Sequence, residues 1–229
     1  MADNAFNRKD EDSSKKIESF ISKNRTVILT VAVLLIAAAA VVMSVFLIRN
    51  SKKNKNLAEI DAIEFAYAAK SNDLTEDEQA VRAEDALKAL EEYTALSGVA
   101  GVRANLLTAS IYNSKKEYEK ASSFYEAAAL ADEKAYTAGI SYFNAASAAE
   151  ESGNSKKALE LYKKAADAPF FPASVHASFS AARVEESLEA YEEAAAIYQN
   201  IVDEYTDSTW AKLSQSRLIA LKAEGKIQQ

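Results

Sequence analysis

Cysteine is absent from the 229 residues. That excludes disulfides, thiolate catalysis and cysteine-ligated zinc, and it is compatible with reducing and oxidising compartments alike. Glycine (5) and proline (2) are scarce, so the turn punctuation of a β-rich fold is missing and an alanine-rich helical chain is expected. The single histidine, His176, stands near a predicted helix start, where a lone imidazole reads as structural. No phosphate-binding glycine loop, HExxH or EF-hand pattern occurs, and no serine sits in G-x-S-x-G. The carboxylate pairs Glu150-Glu151, Glu185-Glu186 and Glu192-Glu193 read as solvated faces. The expectation is therefore a protein that is not an enzyme, with no catalytic residues, no metal, no cofactor and no small-molecule substrate.

Charge is divided unevenly. Residues 1–55 carry ten Lys/Arg against five Asp/Glu (net +5), and residues 56–229 carry seventeen against twenty-nine (net −12). An excess of that size repels phosphate backbones, so nucleic acid is excluded as a partner. Between the two basic flanks lies Thr26–Ile48, "TVILTVAVLLIAAAAVVMSVFLI", without a charge. As a helix it spans about 34 Å at 1.5 Å per residue, enough for a hydrocarbon core. It is too long for the apolar core of a cleaved secretory signal, which makes it an uncleaved signal-anchor. The short-flank lysine and arginine counts are equal on the two sides. The whole tail favours a cytoplasmic N-terminus, and a long C-terminal domain can translocate regardless of charge. Residues 1–25 read as a tail, disordered to about Lys16, with Ile17, Phe20 and Ile21 forming one interfacial turn. Residues 49–55 read as a basic linker.

Residues 56–229 repeat themselves. "YEKASSFYEAA" (118–128), "SKKALELYKKA" (155–165) and "YEEAAAIYQNI" (191–201) set small and large residues in one stripe. Their central alanines, Ala121, Ala158 and Ala194, are 37 and 36 apart, and Ala86 lies 35 before the first. Each has a small partner twelve residues upstream: Ala109, Ala146 and Ala182. Such periods indicate stacked helical hairpins, in which small residues admit close helix approach and aromatics fill the seam. In the irregular first unit, Thr75 and Glu78 form a capping-box signature, and Ser97-Gly98 gives a C-cap signal. "DSTWAKLSQSRLIALKAEGK" reads as a helix covering the end of the stack through Trp210, Leu213, Leu218 and Leu221.

This pattern resembles the tetratricopeptide repeat. Residues 102–135 match it with Ala109, Tyr112, Tyr118, Ala121, Tyr125 and Ala128. Residues 139–172 match it with Ala146, Ala158, Tyr162 and Ala165, and residues 175–208 with Ala182, Tyr191, Ala194 and Tyr198. The expected architecture is all-α: a single transmembrane helix (26–48), then an α-solenoid of repeats (about 56–96, 102–135, 139–172 and 175–208) with a C-terminal capping helix (208–223). The resemblance implies that the first helix of each repeat lines a partner groove. Carried over by position, the groove takes Arg103, Leu106, Leu107, Ser110 and Asn113 from the first of these units. It takes Ile140, Phe143, Asn144, Ser147 and Glu150 from the next, and His176, Phe179, Arg183 and Glu186 from the last. Leu106, Phe143 and Phe179 form an apolar ridge one period apart, suited to a protein segment. The ridge can equally pack against neighbouring helices.

The whole layout resembles the YfgM-type family of bacterial inner-membrane proteins, with a short cytoplasmic N-terminus, one anchor and a periplasmic repeat domain. That resemblance implies an ancillary role in envelope protein export or quality control at the Sec translocon, alongside a membrane-anchored periplasmic chaperone. The other reading is a structural assembly protein that self-associates or joins an envelope complex through its convex face.

Overall fold

The computed structural model describes residues 17–69 and 74–228, and every element among them is helical. The expected disorder up to Lys16 and most of the loop "SNDL" lie outside the described residues. A short helical stretch, 17–23, precedes α1 (Arg25–Ala68). Then follow α2 (Glu76–Thr94), α3 (Gly98–Ser114), α4 (Tyr118–Ala131), α5 (Ala138–Glu151), α6 (Ser155–Asp167), α7 (Ser174–Ser187), α8 (Tyr191–Glu204) and α9 (Thr209–Ala223). The chain divides into two compact units, Met1–Lys55 and Asn56–Gln229.

The first unit holds the apolar run, which is long and apolar enough to cross a membrane and buries none of its side chains in protein. A soluble helix of that composition would hide a face in a core. Residues 49–55, read above as a linker, are helical within α1. Lys, Arg and Asn carry only a small helix penalty, and neither glycine nor proline interrupts them.

The second unit is a stack of hairpins. First helices (the C-terminal part of α1, then α3, α5, α7 and α9) alternate with second helices (α2, α4, α6, α8). The small residues of the stripe fill the crossings. Ala109, Ala121, Ala146, Ala158, Ala182 and Ala194 are all fully buried, so helix backbones approach to a distance that a larger side chain would prevent. Around them lie three core clusters. Ile60, Leu90, Tyr93 and Ile111 join α1, α2 and α3. Tyr142, Leu161, Tyr162, Phe171 and Val184 join α5, α6 and α7. Tyr198, Leu221 and Ile227 close the C-terminal end with Leu218 against them. Full burial of one such leucine or isoleucine contributes about 2 kcal/mol.

Each first helix with its full hairpin turn among α3, α5, α7 and α9 ends in the same way. The residue in the left-handed region is Lys116 (φ 60°), Gly153 (81°), Glu189 (63°) or Gly225 (68°). Its N–H returns three residues and the next N–H returns five, as in Glu117 N–H to Tyr112 O and Lys226 N–H to Leu221 O. This double bond pattern satisfies carbonyls that the helix end would leave orphaned. At Lys116 and Glu189 a side chain occupies a conformation that glycine adopts freely, at a cost of about 1 kcal/mol each.

Three helix starts are capped by side chains. Thr75 and Glu78 form the expected capping box on α2, Asn154 accepts from Lys157 N–H, and Ser208 accepts from Ala211 N–H. At the other end of α2 the expectation is corrected: the helix stops at Thr94 with Ala95 as its cap. Gly98, with φ +67°, opens α3 instead. The reversal is tight because Gly101 lies against the Leu96 carbonyl, where a Cβ would come within 1.8 Å of the oxygen. Buried Asn105 ties it by donating to the Thr94 and Gly101 carbonyls at 2.8 and 2.9 Å.

Candidate protein-binding face

The residues expected to line the groove all stand on first helices: α3, α5 and α7. None is fully buried. Ser110, Asn113, Ile140, Ser147 and Arg183 are exposed, and the other nine are half-buried. They therefore belong to the first-helix side of the stack.

Two tracks cross this face. The first is aromatic. Phe143 lies 4.8 Å from His176, ring centre to ring centre, His176 stacks on Trp210 at 4.1 Å and 12°, and Trp210 meets Phe179 at 5.3 Å. From below, Tyr162 and Phe171 support Phe143, and Tyr198 supports Phe179. The ridge thus does both things considered above. Its rings pack against neighbouring helices and keep one side toward solvent. Leu107 leans into the first core cluster, and Leu106 takes no part in the ring contacts.

The second track is ionic. Glu150, near the end of α5, accepts two bonds from Arg183 of α7 at 2.5 and 2.7 Å and a third from the Tyr162 hydroxyl at 3.1 Å. One joint further on, Glu186 of α7 is paired with Arg217 of α9 and accepts from the Tyr198 hydroxyl at 3.2 Å. The same device therefore clamps α5 to α7 and α7 to α9. Nearer the start of the stack, Arg103 reaches Asp61 and Glu64 of α1. Hydrogen bonds from Arg183 hold the Glu150 carboxyl below the usual carboxylate range despite its burial. Burial and the neighbouring carboxylate push the Tyr162 hydroxyl up to about 12 and raise Tyr198 in the same manner. Burial, helped by Arg183, lowers the His176 imidazole.

Trp210 and Arg217 belong to this face although the sequence placed their helix at the end of the stack. The signal was present: they lie 34 residues after His176 and Arg183. By the same offset Leu213, which follows Phe179, stays exposed. So α9 covers the end of the stack with Leu218 and Leu221 and continues the two tracks of the first-helix side with Trp210 and Arg217. A cavity of about 370 Å³ opens between Phe179, Arg183, Glu186, Tyr198 and Arg217. Among the described residues no group of His, Asp and Glu is placed to hold a metal ion.

The geometry is that of a helical-repeat scaffold: stacked hairpins with small residues at the crossings. Residues 143–209 match the tetratricopeptide repeat family. A "TPR repeat-containing protein" of Treponema pallidum (strain Nichols) is 34% identical over 146 residues, covering 62% of this chain and 61% of that relative. The chain thus spans about three fifths of that relative's length. Both findings support a tetratricopeptide repeat protein. Repeats of this kind generally mediate protein–protein contacts.

Proposed function

We propose that the protein is a membrane-anchored adaptor whose groove face binds a partner protein. We assign residues 26–48 as its transmembrane helix, residues 1–25 as a cytoplasmic tail, and residues 56–229 as a repeat domain in the periplasm. Its role is ancillary, in envelope protein export or quality control at the Sec translocon beside a membrane-anchored chaperone. The observation that carries the binding reading is the row of Phe143, His176, Trp210 and Phe179, which keeps aromatic surface toward solvent across three first helices. Such a ridge suits an apolar segment of another protein. Arg183 and Arg217 beside it already hold Glu150 and Glu186, so neither is free to clamp a C-terminal carboxylate. Tethering raises the local concentration of partners in the same membrane, so modest groove contacts suffice.

The test is co-purification from detergent-solubilised membranes with the full-length chain, against Phe143→Ala with Phe179→Ala. Sec subunits or an envelope chaperone recovered with the native groove and lost from the double variant is the expected outcome. Equal recovery from both rejects the groove as the site. A second reading, self-assembly, draws on Phe65, a large apolar side chain left exposed on the first helix of the stack. Light scattering of the detergent-solubilised chain separates the two, since the adaptor is expected to be monomeric.

A further inference from the structure

The two edges of the repeat stack differ in chemistry. One edge carries the four turns at Lys116, Gly153, Glu189 and Gly225, whose neighbours are mostly polar. The opposite edge carries the loops that lead from each second helix to the next first helix, and there large apolar side chains point outward. Tyr136 is 78% exposed and Phe170 86%, with Val99, Ile140 and Tyr205 exposed beside helix ends of the same edge.

Phe170 is the informative residue. It adopts φ +61°, a strained conformation for a bulky side chain. Its neighbour Phe171 is buried against Gly139 and Phe143 and accounts for the packing of this loop. Phe170 contributes nothing to that core, and Pro169 and Pro172 restrict the loop that presents it. Strain that holds an aromatic ring in water points to a use outside the fold.

The chain itself indicates what covers this edge. Asn56 is the first residue of the repeat unit and lies within α1, and the first helices α3, α5, α7 and α9 begin at the edge of Tyr136 and Phe170. Seven residues, 49–55, separate Asn56 from the apolar run. Helical within α1, they rise only about 10 Å. The repeat unit is therefore tethered by the edge that carries its exposed rings. Tyrosine, tryptophan and other amphipathic or aromatic side chains settle at the headgroup level of a bilayer. We propose that this edge rests on the phospholipid interface, with Tyr136 and Phe170 as its principal contacts. The proposal rests on the anchor reading above.

The absence of cysteine makes a direct test simple. Full-length single-cysteine variants Tyr136→Cys, Phe170→Cys, Lys116→Cys, Glu189→Cys and Val42→Cys are labelled with an environment-sensitive fluorophore. Each is placed in phosphatidylcholine nanodiscs with and without spin-labelled lipid, after circular dichroism has verified its helicity. Quenching of at least about two-fold is expected at 136, 170 and 42, with almost none at 116 and 189. Quenching at 42 with none at 136 and 170 overturns the edge proposal alone. A blue-shifted but unquenched label at 170 overturns it in favour of a protein occupant. An unquenched label at 42 overturns the anchor and the edge proposal together.

Discussion

The joints between first helices are not alike. From α5 to α7 and from α7 to α9 a glutamate near the end of one helix takes an arginine from the next and a tyrosine hydroxyl from its own hairpin. From α3 to α5 the equivalent seats are Asn113 and Ser147, both exposed, and among the described residues no ion pair joins those two helices. Tyr125 stands where Tyr162 and Tyr198 stand in the later repeats, and only burial raises its hydroxyl. The aromatic row follows the same division, running from α5 to α9 and no further back. The aromatic row and the clamps thus coincide in the C-terminal half. A ridge of rings keeps its shape for a partner only if the helices beneath it keep their spacing, and the glutamate–arginine pairs hold that spacing. The α3–α5 joint lacks that device, and among the described residues its two repeats are bridged by charge only between second helices, where Glu126 of α4 meets Lys157 and Lys164 of α6.

The strongest way to break this division is to disturb the packing under the clamped half. A Cβ on Gly139 would come within 2.5 Å of the Phe171 Cβ and 2.6 Å of its Cγ. Phe171 cannot yield without moving Phe143. Gly139→Ala is expected to lose about 2–3 kcal/mol, read as a fall in the urea or thermal midpoint of the purified chain, and to weaken any binding that depends on Phe143. An unchanged midpoint would mean that the Phe171 loop moves freely and supports nothing. Next in size is Arg183→Ala, which leaves Glu150 with the Tyr162 hydroxyl alone. The pair is bidentate but half-exposed, so solvent screening limits the cost to about 1 kcal/mol. The matching control, Ser147→Ala at the unclamped joint, should stay within about 0.5 kcal/mol of the native chain.

Much of this division was written in the residues, and the rest failed to show for physical reasons. The all-α fold was legible because the small–large stripe prescribes how two helices must touch, and Ala146 or Ala158 has one place to go. The line of first-helix positions was legible for the same reason, since register along a repeat fixes which residues share a face. Pairing across repeats was not. Whether Arg183 reaches Glu150 depends on the offset between helices that are 33 residues apart in sequence, and helical periodicity carries no information on that offset. Left-handed turns at Lys116 and Glu189 were hidden because neither is glycine. The charged run 49–55, expected as a basic linker, is helical within α1, with neither glycine nor proline to interrupt it. Trp210 was missed because a terminal helix suggested a lid, while the 34-residue spacing from His176 was already in view.

Acid should act unevenly on the two kinds of joint. The Glu150 carboxyl is depressed in the folded chain, so its contribution is present above the unfolded value of 4.5 and is lost as pH falls through the lower folded value. His176 is also depressed below its ordinary 6.5, by burial and by Arg183. The unfolded chain therefore binds that proton first, and stability begins to decline as pH drops below 6.5. Stability followed from pH 7 to about pH 2 should show both steps, the Glu150 one lying below 4.5. His176→Gln is expected to remove the earlier one, and Glu150→Gln the later. A profile identical in all three chains would place the acid sensitivity elsewhere in the stack.

The smallest effect is also the most direct test of why the joints differ. If the glutamate–arginine device is sufficient in itself, it can be moved. Asn113→Glu with Ser147→Arg places the two charges in the vacant seats, with Tyr125 positioned to donate from below. Each single variant adds one unpaired, solvated charge and should be close to neutral. The double variant should gain about 0.5 kcal/mol over the sum of the singles, an increment typical of a partly exposed pair. That coupling should shrink in 1 M salt, where screening acts within about 3 Å. Tyr125→Phe on the grafted background separates the two contributions to the clamp: a lost increment assigns it to the hydroxyl, and a retained one to the ion pair. No coupling at low salt would mean that α3 and α5 are spaced differently from the later helices. The α3–α5 joint would then be distinct in geometry as well as in its missing charges.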